Sequence, residues 1–153
     1  MHILPSWHPL VVHFPLALII TAAFALSLAR VLRAQRLAAS LAVLGTWNLC
    51  LGAVAVYFAL GTGLAAVIDL HVDVAARQAI ASHVKSAVVM TMLVTLVAVW
   101  RGAGTDANSR PSWLFVLVLW AATIALAVTG YRGGQNVFRY GIGVAMTAEM
   151  PTG

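Results

Sequence analysis

Two histidines and two prolines crowd the start of a long apolar run: His8, Pro9, His13 and Pro15, in HPLVVHFP. A third imidazole, His83, stands ahead of a later apolar run, in ASHVKSAVV. Imidazole binds metals and carries protons near neutral pH. Beside or inside a membrane such groups are expensive, and by default they mark function. Each of His13 and His83 falls within an expected helix, near one end. In an up-down bundle their helices run in the same direction and stand across a diagonal. Neighbouring axes are about 8–10 Å apart, which puts diagonal axes about 11–14 Å apart. Two imidazoles reaching inward across that gap can hold one iron from opposite faces. Tetrahedral zinc asks for more ligands at shorter range. His13 and His83 are therefore the expected axial ligands of a b-type heme.

His8 is the first reserve ligand and His71 the second. His8 and His13 are five apart, about 140° around a helix, so both cannot face one partner unless the helix breaks between them. Pro9 suits a first helical turn. Pro15 is expected to kink the helix and free a carbonyl near Val11. Lys85, Arg132 and Arg139 are candidates to pair heme propionates, or they simply snorkel at the interface. Copper is the alternative occupant, on His8, His13 and His83, because imidazole suits copper, zinc and iron alike. In a third reading the histidines only bond carbonyls or lipid headgroups, in a structural or assembly subunit without a cofactor.

The elements that must position these residues follow from composition. Of 153 residues 62% are apolar and 8% charged, against about 25% charged in ordinary soluble domains. A soluble globular fold is excluded. Four apolar stretches, at about 10–29, 38–62, 80–100 and 113–130, are each long enough to cross a bilayer as a helix. The expected fold is all-α: one integral-membrane four-helix bundle, with a tail over 131–153 on the outer side. In that tail Gly133-Gly134 reads as a turn. Gly61 and Gly63 read as the end of span two, and Asp73 as a cap for span three.

The net charge of +5 is not a nucleic-acid signal, since the cations stand singly at the ends of apolar runs. Arg30, Arg33, Arg36, Arg101 and Arg110 fall on one side in two short loops nearly free of acids. Arg77, Lys85, Arg132 and Arg139 fall on the other, with Asp69, Asp73 and Glu149. This bias places both termini outside, the periplasmic side of a bacterial inner membrane. All five histidines, His2, His8, His13, His71 and His83, then share the outer side. The opening MHILPSWHP has no Lys or Arg, so no secretory n-region is evident and span one is expected to be retained.

The single cysteine, Cys50, forms no CxxC or CxxCH, which argues against covalent heme and thiolate zinc. Asn48 in mid-span reads as a bond between helices. Thr21, Thr91, Thr95 and Thr123 read as back-bonded to their own helices. No nucleophile with a base, paired carboxylate or phosphate loop is present. Every acid lies outside the spans, which disfavours proton transport through an intramembrane carboxylate.

HPLVVHFP before the first span and GYRGGQNVFRYGIGV after the last together resemble a bacterial membrane family, domain of unknown function 2231. The resemblance covers nearly the whole chain. It rests on His8, Pro9, His13, Phe14 and Pro15, on His83, and on Gly133, Gly134, Val137, Phe138, Arg139, Gly141, Gly143 and Val144. Phe138 stands where the family usually has tyrosine, and Tyr140 where it often has histidine. The resemblance implies a four-span membrane fold. Relatives joined to cytochrome c domains further imply electron transfer, an association and not a mechanism. The combined expectation is a b-type cytochrome in the inner membrane. It exchanges electrons with the quinone pool and a periplasmic redox protein or cytochrome c, as a homo-oligomer or a subunit of a larger complex.

Overall fold

Helix is the only state in which such apolar stretches leave no backbone group unpaired in lipid. The computed structural model of the chain describes residues 7–68, 72–104 and 106–143. Its elements are α1 (His8–Val11), α2 (His13–Val31), α3 (Gln35–Val67), α4 (Val74–Gly104) and α5 (Trp113–Tyr140). Helices α1 and α2 form one span, giving four helices long and apolar enough to cross a membrane. His2, Asp69, His71, Val144 and Glu149 lie outside the described residues.

The break between α1 and α2 falls at Val12. Pro15 has no N–H for the carbonyl of Val11, so the ladder loosens one turn before it. The Leu16 N–H to Val12 carbonyl bond is already long, 3.4 Å. The helix is thus interrupted one turn ahead of Pro15, where a disturbance is expected.

Each helix packs on the next, and α5 closes the ring on α2. Helices α2 and α4 therefore face each other across a diagonal. Within the ring, Ile19, Leu26, Leu49, Val94 and Leu119 are fully buried. Outside it Phe58, Leu96 and Leu117 are each 66% exposed, the reverse of a water-soluble surface and what lipid requires. The α2–α3 seam is built from small residues. A Cβ on Gly45 would come within 2.6 Å of Leu26 Cγ, and one on Gly52 within 2.7 Å of Ile19 Cγ1. Without hydrophobic drive between helices in lipid, such close approach supplies the packing.

Two helices overrun their expected ends. Helix α3 continues past Gly61 and Gly63 to Val67. Helix α5 continues through Gly133-Gly134 to Tyr140, so the expected turn is absent and the first part of the tail is helix. The stop comes at Gly141, left-handed with φ 63°. Its N–H bonds the carbonyl of Val137, and that of Ile142 the carbonyl of Asn136, a Schellman-type close. Asp73 caps α4 as expected: Oδ1 accepts the Ala76 N–H at 2.7 Å.

The end remote from the histidines is held by arginine. Arg101 is 2% exposed. Its Nε donates to Thr46 Oγ1 at 2.9 Å, and Nη2 to the carbonyls of Ala107 and Ser109 at 3.0 and 2.7 Å. The α4–α5 loop is thereby fastened to α3. Arg110 Nη2 donates to the Leu32 carbonyl at 2.8 Å, and the Arg30 guanidinium stacks over Trp113.

Candidate functional site

Four helical pieces meet at the other end. His8, one residue from Pro9 in the first turn of α1, points at α3. Its Nδ1 donates to the Ala59 carbonyl at 2.9 Å and lies 3.3 Å from Thr62 Oγ1. A carbonyl can only accept, so Nδ1 carries a proton. That backbone bond is the support which orients a metal-ligating histidine and fixes its tautomer. His83 comes from α4, about two and a half turns beyond the Asp73 cap. It is half-buried, and its Nδ1 is buried with no hydrogen-bond partner.

The two imidazoles meet edge to face, ring centres 6.4 Å apart and planes at 74°. Each ring has a glycine behind it. A Cβ on Gly63 of α3 would lie 2.9 Å from His8 Cε1, and one on Gly133 of α5 would lie 3.1 Å from His83 Cε1. Gly63, read as a helix end, and Gly133, read as a turn, are thus interior helical positions where an imidazole lies against backbone.

His83 occupies the place expected of it, but its neighbour is His8 and not His13. His13 is exposed, and its Nδ1 donates to the carbonyl of Pro9 one turn back, at 2.6 Å. The 140° between His8 and His13 explains the exchange: the helix turns one inward and the other outward, and the break at Val12 is too slight to bring both in. A copper site on His8, His13 and His83 together is not formed. Among the described residues no group of three His, Cys, Asp or Glu side chains could hold a metal ion.

The cations also separate. Lys85 is two residues from His83, about 200° around α4. It lines an outward groove between α3 and α4, which removes it from the propionate candidates. Arg132 precedes Gly133 and is exposed. Arg139 is exposed and lies against the Tyr140 ring. Asn48 bonds the Leu44 carbonyl of its own helix and bridges to no neighbour. Thr95 and Thr123 are back-bonded as expected, while the buried Thr91 hydroxyl has no partner.

A transition metal sits about 2 Å from an imidazole nitrogen, so two rings on opposite sides of one ion have centres roughly 6 Å apart. The ring centres of His8 and His83, 6.4 Å apart, have a separation of that size. Two imidazoles make an incomplete set for tetrahedral zinc. Two imidazoles would suffice for an iron whose macrocycle brings its own remaining ligands.

The model of one protein family, described as predicted membrane protein (DUF2231), matches residues 5–146. No curated protein and no solved structure matches the chain.

Proposed function

Because the chain belongs to the DUF2231 family of predicted membrane proteins, we propose a function that the family description leaves open: a membrane b-type cytochrome whose heme is held between His8 and His83. The observation that carries this reading is the edge-to-face pair, 6.4 Å apart, with a glycine behind each ring. When bound, a heme supplies a one-electron iron couple. The rest is the work of this chain. Ala59 holds the His8 tautomer. Gly63 and Gly133 let both helices close on the rings. Arg132 stands where it can pair a propionate at the aqueous edge.

The protein passes single electrons between the quinone pool and a periplasmic redox protein such as a cytochrome c. Lys and Arg placement supports a bacterial inner-membrane location with both termini and the histidine pair outside. One cofactor level near one face suits exchange with a partner on that face, as a subunit or a homo-oligomer.

The test is an absorption spectrum of the protein purified in mild detergent from heme-supplied cells, oxidised and then reduced with dithionite. Sharp α and Soret bands are expected on reduction. They vanish in His8→Ala and His83→Ala and persist in His13→Ala. Bands lost in His13→Ala but kept in His8→Ala would restore the His13–His83 pair. A featureless spectrum discards the cytochrome, and metal analysis of that colourless sample then separates a copper protein from a cofactor-free one.

A further inference from the structure

On the lipid-facing side of the same end, α3 and α4 part to leave a groove of about 680 Å³. Leu64 and Val67 form one wall, and Ile80, Val84 and Val88 the other. Its lining is apolar except for two residues, Arg77 and Lys85, both cations. Arg77, Ala81, Lys85 and Val88 recur every three or four positions, which puts them on one face of α4. Arg77 gives Nε to the Val72 carbonyl at 3.1 Å, which fixes the guanidinium at the helix end. Asp73, the only described carboxylate at this end, has Oδ1 committed to the Ala76 N–H.

Helix α4 has 31 residues, about 46 Å, against a hydrocarbon core of about 30 Å. With the excess length at this end, its first turns, and Arg77 with them, reach headgroup level. Lys85, about 12 Å further in, reaches back toward it.

We propose that this groove is a binding site for an anionic phospholipid, its phosphate against Arg77, Lys85 reaching back toward it along the groove, and one acyl chain along Ile80, Val84 and Val88. Charge complementarity selects the occupant. A zwitterionic lipid fills the slot as well but brings a cation of its own against two cations. Basic pockets between spanning helices recognise anionic headgroups in this way. The site is independent of the histidine pair, because Lys85 and His83 face opposite sides of α4.

The test is native mass spectrometry of the full chain released from mixed micelles. The micelles hold equal phosphatidylglycerol and phosphatidylethanolamine of matched chains. Wild type is expected to retain phosphatidylglycerol at least tenfold over phosphatidylethanolamine. Arg77→Gln with Lys85→Gln abolishes the preference. Ala81→Phe, which fills the slot and leaves both charges in place, reduces retention of both lipids. Equal retention of the two lipids by wild type overturns the site. So does full preference in Ala81→Phe, because general surface charge would then be the cause.

Discussion

The imidazole of His8 meets that of His83 edge to face at 6.4 Å, and each ring rests on the backbone of a different helix hairpin. His8 is tied to the Ala59 carbonyl of α3, and His83 lies over Gly133 of α5. Nothing in the spacing of the two residues along the chain would bring them together; only the closed ring of four spans does.

The glycines behind the rings set an ordered pair of effects. In Gly63→Ala the new methyl meets Cε1 at 2.9 Å and Nδ1 at 3.1 Å. His8 cannot retreat without giving up its bonds to Ala59 and Thr62. In Gly133→Ala the contact is 3.1 Å and the next atoms lie at 3.6 and 3.7 Å, so a smaller shift of His83 relieves it. Heme content per protein, from the reduced spectrum, is expected to fall severely in Gly63→Ala and partly in Gly133→Ala. Equal content in both variants and wild type would mean that neither ring is held by the helix behind it.

Removing the arginine clasp is expected to loosen the opposite end. Arg101→Ala leaves Thr46 Oγ1 and the Ser109 carbonyl without their guanidinium donor, and leaves the Ala107 carbonyl only the longer bond from Thr46 Oγ1, 3.4 Å. Hydrogen bonds to a charged group suggest a loss of roughly 2–4 kcal/mol. Arg101→Lys recovers only part of it, because one ammonium cannot span the fork. Reversible unfolding in mixed micelles measures both. A loss below about 0.5 kcal/mol for Arg101→Ala would place the residue among ordinary surface cations.

The α2–α3 seam has no room for a side chain at Gly45. A methyl there meets Leu26 Cγ at 2.6 Å and the Leu26 backbone nitrogen at 3.2 Å, so a larger group must push the helices apart. Gly45→Leu is expected to destabilise by about 1–3 kcal/mol. Gly102→Leu, where nothing lies within 4 Å, serves as the control. Similar thermal midpoints for the two variants would contradict the close crossing.

The cap on α4 is a local matter. Asp73→Ala removes the acceptor of the Ala76 N–H and is expected to cost about 1 kcal/mol. The first turn from Val74 to Arg77 frays, and His83, about one and two-thirds turns beyond Arg77, stays in place. Hydrogen exchange is expected to quicken at Ala76 and Arg77 while the spectrum is unchanged. Exchange that spreads to His83 would show that the cap supports the site itself.

Much of this fold is legible in composition, because an apolar run of membrane length has few ways to exist. The four spans, the Asp73 cap and the disturbance ahead of Pro15 all follow from local chemistry. What the sequence hides is the second role of its glycines. Gly61, Gly63, Gly133 and Gly134 carry the residue type that ends helices, yet α3 and α5 run through them. Lipid penalises an unpaired backbone more than glycine penalises a helix, and two of the four make room for an imidazole. The choice between His8 and His13 was restricted by their 140° offset, but deciding it needs the position of α3 relative to α1. Arg101 reads as a topology marker like its neighbours, and only tertiary structure shows it buried.

Each hairpin carries half of the histidine site complete with its own backing: His8 with Gly63 on the first, His83 with Gly133 on the second. Helices inserted pairwise can settle as independent units before they dock. On that order both half-sites are shaped while still apart, and a group that bridged the two rings would be captured after insertion and bolt the two halves together.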